Sequence, residues 1–160
     1  MAQALSKLAK SLQNNLKTYG FHGQVVELVS TARTAQDAAA SIGCNVAQIA
    51  KSLIFKTVET GQPVLVLASG LNRVGEKTIE SYVGEKIVKA DAKFTKDVTG
   101  YAIGGIPPIG HKQKINFIFI DEDLMKLNSV WVAAGDSLVM FTITPKELVT
   151  MTQGKVINIK

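Results

Sequence analysis

The residues best suited to chemistry in this sequence lie in a glycine- and proline-rich stretch, residues 104–111, which reads GGIPPIGH. Glycine lets a ligand approach the main chain closely, and proline stiffens the path of the backbone. The two prolines have no amide hydrogen, but four other amides of the stretch are available as donors. They belong to Gly105, Ile106, Ile109 and Gly110. Such donors suit a ribose hydroxyl, a carbonyl oxygen or a phosphate, and the alternative is a rigid turn into the next strand.

Positive charge concentrates on both sides of this loop. Residues 86–114 contain six lysines and two aspartates, a net charge of +4 out of the +5 of the whole chain. A basic surround to a donor-rich loop suits a polyanion whose end enters a pocket, although a solvated lysine face explains any one of these residues. Aromatic residues make up only 6% of the chain, which disfavours a base-stacking platform.

Lys51 is the second candidate for chemistry. It begins an otherwise apolar strand pattern, and alternation places it on the same face as Leu53 and Phe55. A lysine at the mouth of a core strand either presents its charge to a pocket or extends its ammonium into solvent. The sequence leaves both interpretations open.

Several familiar catalytic patterns are disfavoured. Residues 70–78 nearly spell a phosphate-binding loop, but Glu76 separates the second glycine from Lys77. Cys44 is the only cysteine and follows the helix-ending Gly43, where a packing role is common. The chain has two histidines without an H-x-x-x-H pair, and it has no G-x-S-x-G motif. We therefore expect no metal centre, no disulfide framework and no serine or cysteine nucleophile.

The elements that position these residues are predicted from hydrophobic periodicity and capping residues. Residues 1–20 form an amphipathic helix, with leucines at three- and four-residue steps. Thr34, Asp91 and Thr144 are predicted to cap three later helices, and residues 75–83 form a further one. The clearest strand patterns are residues 51–58, 63–69, 115–120, 130–133 and 138–143. The second of these is apolar throughout, which predicts a strand covered on both faces.

About seven strands and four or five helices in mixed order predict an α+β (mixed α/β) fold with several antiparallel pairs. The 160 residues, 46% of them apolar, fit one domain spanning residues 1–160. No apolar run approaches the roughly 18 residues that a membrane span needs, and the N-terminus lacks a secretory pattern. We therefore expect a protein of the cytoplasm.

Three blocks of this sequence resemble one known family. Residues 32–55 (ARTAQDAAASIGCNVAQIAKSLIF), 104–111 (GGIPPIGH) and 131–148 (WVAAGDSLVMFTITPKEL) are similar to the YbaK/EbsC family, the free-standing form of the prolyl-tRNA synthetase editing domain. The resemblance implies a curved, largely antiparallel sheet with surrounding helices. It also implies hydrolysis of the ester that joins a wrong amino acid to tRNA, with cysteinyl- or alanyl-tRNA(Pro) as typical substrates, and no metal or other cofactor.

The resemblance also assigns roles to residues. The family's essential lysine falls on Lys51, and its substrate loop falls on residues of the glycine-rich stretch. These are Gly104, Gly105, Ile106, Pro107 and Gly110. Lys51 and Gly105 are then the predicted catalytic residues, and a water attacks the ester with help from the tRNA's terminal ribose hydroxyl. His111 is predicted to bind phosphate or the amino group, or else to cap and pack. Asp136 is predicted to bind the substrate ammonium, or else only to form its hairpin turn.

The implied partners are mischarged tRNA and, through it, prolyl-tRNA synthetase. The amino acid that is removed stays open, because residues 25–30 lack the tyrosine of the cysteine-specific members. Two alternatives to an aminoacyl-tRNA deacylase remain: a non-catalytic tRNA- or nucleotide-binding module of the same fold, and a small regulatory protein that docks on a synthetase.

Overall fold

A computed structural model describes residues 5–21, 23–28 and 34–160. In these residues the helices are α1 (Lys7–Thr18), α2 (Ala35–Ile42), α3 (Glu76–Val83), α4 (Ala92–Thr99) and α5 (Pro145–Thr152). The strands are β1 (Val25–Glu27), β2 (Ala50–Thr57), β3 (Pro63–Ser69), β4 (Ile87–Lys89), β5 (Phe117–Asp121), β6 (Val130–Asp136), β7 (Val139–Ile143) and β8 (Lys155–Ile157). Short 3-10 helices cover Val46–Gln48 and Glu122–Lys126.

The strands form two sheets. The larger has the order β4-β2-β3-β5-β8, with antiparallel pairing from β4 to β3 and parallel pairing from β3 to β8. The smaller has the order β1-β7-β6 and is antiparallel. A parallel bridge between Ile49 and Trp131 joins them. The α+β prediction is confirmed, with eight strands in the described residues instead of about seven and with the curved sheet divided in two.

Local signals in the sequence explain the helix boundaries. Thr34 accepts a hydrogen bond from the Asp37 amide, and Thr144 does the same for Glu147, so the predicted caps begin α2 and α5, each as part of a capping box. The Asp91 carboxylate accepts from the Phe94 amide at the start of α4. The first four residues of the predicted N-terminal helix, 1–4, lie outside the described residues, as does residue 29, the last of a short valine-rich strand that the sequence predicts over residues 24–29.

The core has two main parts, one on each face of the larger sheet. The first contains side chains from both sheets, such as Leu67 of β3 and Phe141 of β7. The second lies between the other face of the larger sheet and α3, with Val66 and Ile79 at its centre. Residues 64–68 of β3 have no exposed surface, which confirms that this strand is covered on both faces. None of the described helices has the length and apolar character that a bilayer-spanning helix needs.

Candidate functional site

Lys51 reaches the carboxyl ends of the parallel strands. It is the second residue of β2 and pairs with Ala68, near the end of β3. Its half-buried side chain donates a hydrogen bond from Nζ to the main-chain oxygen of Asn72, at 3.0 Å. The crevice beyond the carboxyl ends of parallel strands is a common place for ligands in sheets of this kind.

Asn72 belongs to a polar network under the lysine. Its side-chain Nδ2 donates to Asp121 at 2.8 Å and to Asp123 at 2.7 Å. Asp121, only 1% exposed, also accepts from the main-chain amides of Ser69 and Asp123, both at 3.0 Å. Three donors therefore hold a buried carboxylate in place, as burial of a charge requires. Sequence reasoning missed Asn72 and Asp121. The pattern that could have indicated them is a polar residue at or just after the end of a buried strand, β3 for Asn72 and β5 for Asp121.

The charges around Lys51 oppose one another. Burial lowers the pKa of Lys51, the nearby Arg73 guanidinium lowers it further, and the Asp121 carboxylate acts in the opposite direction. Hydrogen bonds from Asn72 and Lys126 lower the pKa of Asp123 to about 2. Lys51 and Arg73 thus place two cationic groups beside each other, an arrangement that suits an anionic ligand.

Ser52, the neighbour of Lys51, carries a buried hydroxyl with no hydrogen-bond partner in the described part of the chain. The Ile54 carbonyl accepts from the Ala90 amide at 3.1 Å, on the β4 side of the strand. By alternation the main-chain groups of Ser52 point to the same edge, but the pairing with β4 begins only at Phe55. An unsatisfied buried hydroxyl is costly, and Ser52 is a second feature that sequence reasoning missed.

Beyond the bridge between Ile49 and Trp131, β2 and β6 continue into different sheets. Because the bridge is parallel, Lys51 and Asp136 both lie on the same side of it. Lys51 is two residues further along β2, and Asp136 is five residues further along β6, at the hairpin that ends the strand. We call the space between these two strands the inter-sheet opening. It is the candidate site.

The glycine-rich loop meets the hairpin at the end of β6. A Cβ added to Gly105 would lie 2.9 Å from the main-chain Cα and carbonyl carbon of Asp136, so only glycine fits there. The Gly105 amide donates to Ala102 O at 3.0 Å, and the prediction that this amide is available as a donor is wrong. The Gly105 amide is already hydrogen-bonded within this local turn. The amides of Ile106, Ile109 and Gly110 donate to no described residue.

We expect Gly105→Ala to cost about 1–3 kcal/mol of folding free energy, because the new methyl group collides with main-chain atoms that cannot swing aside. Urea unfolding measures the loss. Gly104→Ala is the matched control, since its φ of +93° is strained for alanine but its Cβ would lie 3.8 Å from its nearest neighbour, the Ser137 Cβ. A Gly105→Ala variant as stable as wild type would contradict the close approach.

His111 closes the loop on itself. Its Nε2 lies 2.7 Å from the main-chain oxygen of Pro107, so the ring caps the loop and its neutral Nε2–H tautomer donates there. Burial lowers the pKa of His111, and the hydrogen bond to Pro107 acts in the opposite direction. His111 therefore caps the loop, as one of the two predictions had it. Its Nδ1 remains a candidate for binding the phosphate or amino group of a substrate.

The lowered pKa of His111 predicts a dependence of stability on pH. The unfolded chain binds the proton more readily, near the ordinary value of about 6.5, so folding stability falls as the pH drops through that value. We expect wild type to lose up to about 1.4 kcal/mol per pH unit more than His111→Gln there. Urea unfolding at pH 7.5, 6.5 and 5.5 checks the difference, and parallel curves for the two proteins would contradict it.

Asp136 forms its own hairpin turn. One carboxylate oxygen, Oδ1, accepts from the Leu138 amide at 2.9 Å. The structure therefore brings Gly104 and Gly105 against the hairpin of Asp136, and Pro107 against His111. No hydrogen bond or ion pair of the described residues joins Lys51 to the loop. A substrate touching both has to span the inter-sheet opening.

The motifs set aside in the sequence have structural roles. Cys44 is half-buried against the cluster around Trp131, and burial raises the pKa of its thiol, which disfavours a nucleophile. The Gly75 amide donates to Ile159 O at 2.6 Å and is not free for a phosphate. Among the described residues no group of three or more His, Cys, Asp or Glu side chains has a metal-binding arrangement.

Comparison with known proteins assigns the class. The fold is that of an editing domain, and residues 29–151 match the family described as aminoacyl-tRNA editing domain. Since the match covers more than half of the chain, this protein belongs to that family. The resemblance to YbaK/EbsC proteins is confirmed.

Three relatives extend this result. A solved structure described as "a putative trans-editing enzyme for prolyl tRNA synthetase" is 40% identical, with a TM-score of 0.89, over 98% of this chain and 99% of that one. The proline–tRNA ligase of Limosilactobacillus fermentum is 33% identical over 109 residues, which are 66% of this chain and 19% of the ligase. The "Putative Cys-tRNA(Pro)/Cys-tRNA(Cys) deacylase EbsC" of Enterococcus faecalis is 27% identical over 125 residues, 76% of this chain and 74% of that protein.

Proposed function

We propose that this protein is a trans-editing aminoacyl-tRNA deacylase that hydrolyses the ester of mischarged tRNA(Pro) in the cytoplasm. The observation that carries the proposal is Lys51, held at the inter-sheet opening by Asn72 and the buried Asp121 in a member of the editing-domain family. Cysteine and alanine are the proposed amino acids, and the name of the Enterococcus faecalis relative supports cysteine. The whole chain, residues 1–160, is proposed to act as one domain.

The proposed reaction needs no nucleophilic side chain. Water attacks the carbonyl carbon of the ester, and the neighbouring hydroxyl of the terminal ribose assists the attack. The bond between the carbonyl carbon and the ribose oxygen then breaks, and that oxygen takes the proton that the water gives up. The products are the free amino acid and tRNA with both ribose hydroxyls free. An aminoacyl ester is already activated, so positioning and charge stabilisation supply the rate enhancement.

The protein's part is to hold the reacting ester. Lys51 and Arg73 attract the phosphates of the 3′ end. The amides of Ile106, Ile109 and Gly110 are the proposed donors to the carbonyl oxygen as it becomes negative. Gly105 contributes by letting the loop approach the hairpin, and the free oxygen of Asp136 binds the substrate ammonium.

The test is deacylation of tRNA(Pro) charged with cysteine, alanine, serine or threonine, with prolyl-tRNA(Pro) as the correctly charged control. We expect loss of the ester from at least one mischarged tRNA and retention of the prolyl ester. If the ester stayed intact on every mischarged tRNA, the proposed deacylase activity would be refuted. If tRNA still bound, the alternative of a non-catalytic binding module of the same fold would replace it.

A further inference from the structure

A second polar cavity lies at the opposite end of β5 from Asp121. It is open to solvent, has a volume of about 440 Å³ and is bordered by the end of α3, the start of β5 and the segment between α5 and β8. We call it the basic groove. The residues that matter here are Tyr82, Lys114, Asn116, Phe117, Gln153 and Lys155. Its volume falls in the range of small-molecule and nucleotide sites, about 300–1,000 Å³.

The chemistry of the groove favours an anion that also accepts hydrogen bonds. Two ammonium groups and two carboxamides line it, and none of the described residues that line it is Asp or Glu. The side chains of Lys114, Asn116 and Gln153 have no hydrogen-bond or ion-pair partner among the residues that the structure describes. The Lys155 Nζ lies 4.8 Å from the centre of the Tyr82 ring, which is packed on Phe119. This cation–π contact holds the ammonium at the wall of the groove.

The groove is connected to the glycine-rich loop by a fixed basic segment. After His111, the Lys112 amide donates to Thr99 O at 3.1 Å, and the Gln113 amide donates to Val98 O at 2.8 Å. These bonds tie the segment to the end of α4 and leave Lys112 exposed before Lys114 enters the groove. The nearby carboxylate of Asp97 is already paired with Lys93 at 2.9 Å. The positive charge of Lys112, Lys114 and Lys155 therefore continues from the loop into the groove.

We propose that the basic groove binds the sugar-phosphate backbone of RNA, as a contact for the body of the tRNA away from the ester. Lys114 and Lys155 each hold a phosphate, and the carboxamides and the Tyr82 hydroxyl bind sugar and phosphate oxygens. The strand β5 separates Phe117 from Asp121 by about 13 Å, at about 3.3 Å per residue. The groove therefore contributes to tRNA affinity and not to the chemical step. The identification of this RNA as tRNA rests on the proposed function.

The experiment measures the affinity of unacylated tRNA(Pro) for the full chain by fluorescence anisotropy at several salt concentrations. We expect the double variant Lys114→Gln/Lys155→Gln to raise Kd about tenfold at moderate salt. We also expect it to reduce the slope of log Kd against log salt by about two, one for each lost phosphate contact. The matched control is Lys77→Gln/Lys146→Gln, which removes the same charge from exposed lysines near the first turns of α3 and α5.

Equal weakening by the two double variants would overturn the proposal, because net charge alone would then explain the binding. An unchanged Kd in the groove variant would overturn it as well. Displacement of tRNA by millimolar inorganic phosphate or AMP as effectively as by competing RNA would also overturn it, in favour of a small phosphorylated ligand. If tRNA binding depended on the groove but no deacylation occurred, the proposed enzymatic activity would be refuted while the proposed role of the groove in RNA binding would stand.

Discussion

Lys51→Ala is expected to lower the rate of deacylation by about 100-fold or more while the protein stays folded. One well-placed charged or polar donor is worth about 10²–10³ in rate when it acts on a developing charge in a preorganised site. The folded structure loses only one hydrogen bond, from Nζ to the main-chain oxygen of Asn72, which contributes about 1 kcal/mol. Single-turnover kinetics with mischarged tRNA(Pro), together with thermal unfolding, measure both effects.

Lys56→Ala is the matched control for this experiment. Lys56 lies on the same strand, is exposed and extends its Nζ over the Phe94 ring at 4.9 Å on the other face of the sheet. We expect its deacylation rate to stay within about twofold of wild type, because this cation–π contact is exposed and weak. Lys51→Arg keeps the charge but not the fit to Asn72, and we expect intermediate activity. Full activity in the Lys51→Ala variant would show that Lys51 does not take part in the reaction.

Asp121→Ala is expected to destabilise the fold by about 3–5 kcal/mol. The change leaves the Ser69 and Asp123 amides without their acceptor, removes one of the two acceptors of the Asn72 side chain, and creates a void at a site that is 1% exposed. For a chain of this length the loss corresponds to a fall in melting temperature of about 10 °C. Thermal and urea unfolding measure it, with Asp97→Ala as the control for an exposed carboxylate.

Asp121→Asn separates the electrostatic role of this residue from its structural role. The amide keeps the shape and one acceptor oxygen, so we expect a smaller loss of stability than in the alanine variant. It also removes the charge that raises the pKa of Lys51, so the pKa of Lys51 should fall further. The pH dependence of Lys51 acylation, followed by peptide mass mapping, reports this shift. A Lys51 that titrates as in wild type would contradict coupling between the two charges.

Much of the secondary structure could be predicted because its signals are local. Thr34, Asp91 and Thr144 cap the helices that they were expected to cap, since a side-chain oxygen and the amide it accepts from lie only three residues apart. The unbroken apolar run of β3 predicted a strand buried on both faces. The division into two sheets was not predictable in this way, because it depends on pairing between strands far apart in the chain, such as β1 with β7.

The candidate site was predicted only in part. Lys51 and the glycine-rich loop were identifiable from residue type and spacing, together with the resemblance to an editing-domain family. Which amides remain available as donors was not identifiable, because the Gly105 amide is bonded to the Ala102 carbonyl in a turn that begins at Ala102. The unpartnered, buried hydroxyl of Ser52 became visible only in the tertiary structure, because burial and hydrogen-bond partners depend on packing.

By itself, then, the sequence determined the fold class, the caps, the family and the two segments that carry the chemistry. The tertiary structure decided what surrounds those segments. Asn72 and Asp121 are 49 residues apart in the chain, and Ser69 and Asp121 are 52 apart, yet they form the network beneath Lys51. The basic groove likewise joins α3, β5 and β8. Contacts of that length depend on strand order and register, which residue periodicity does not encode.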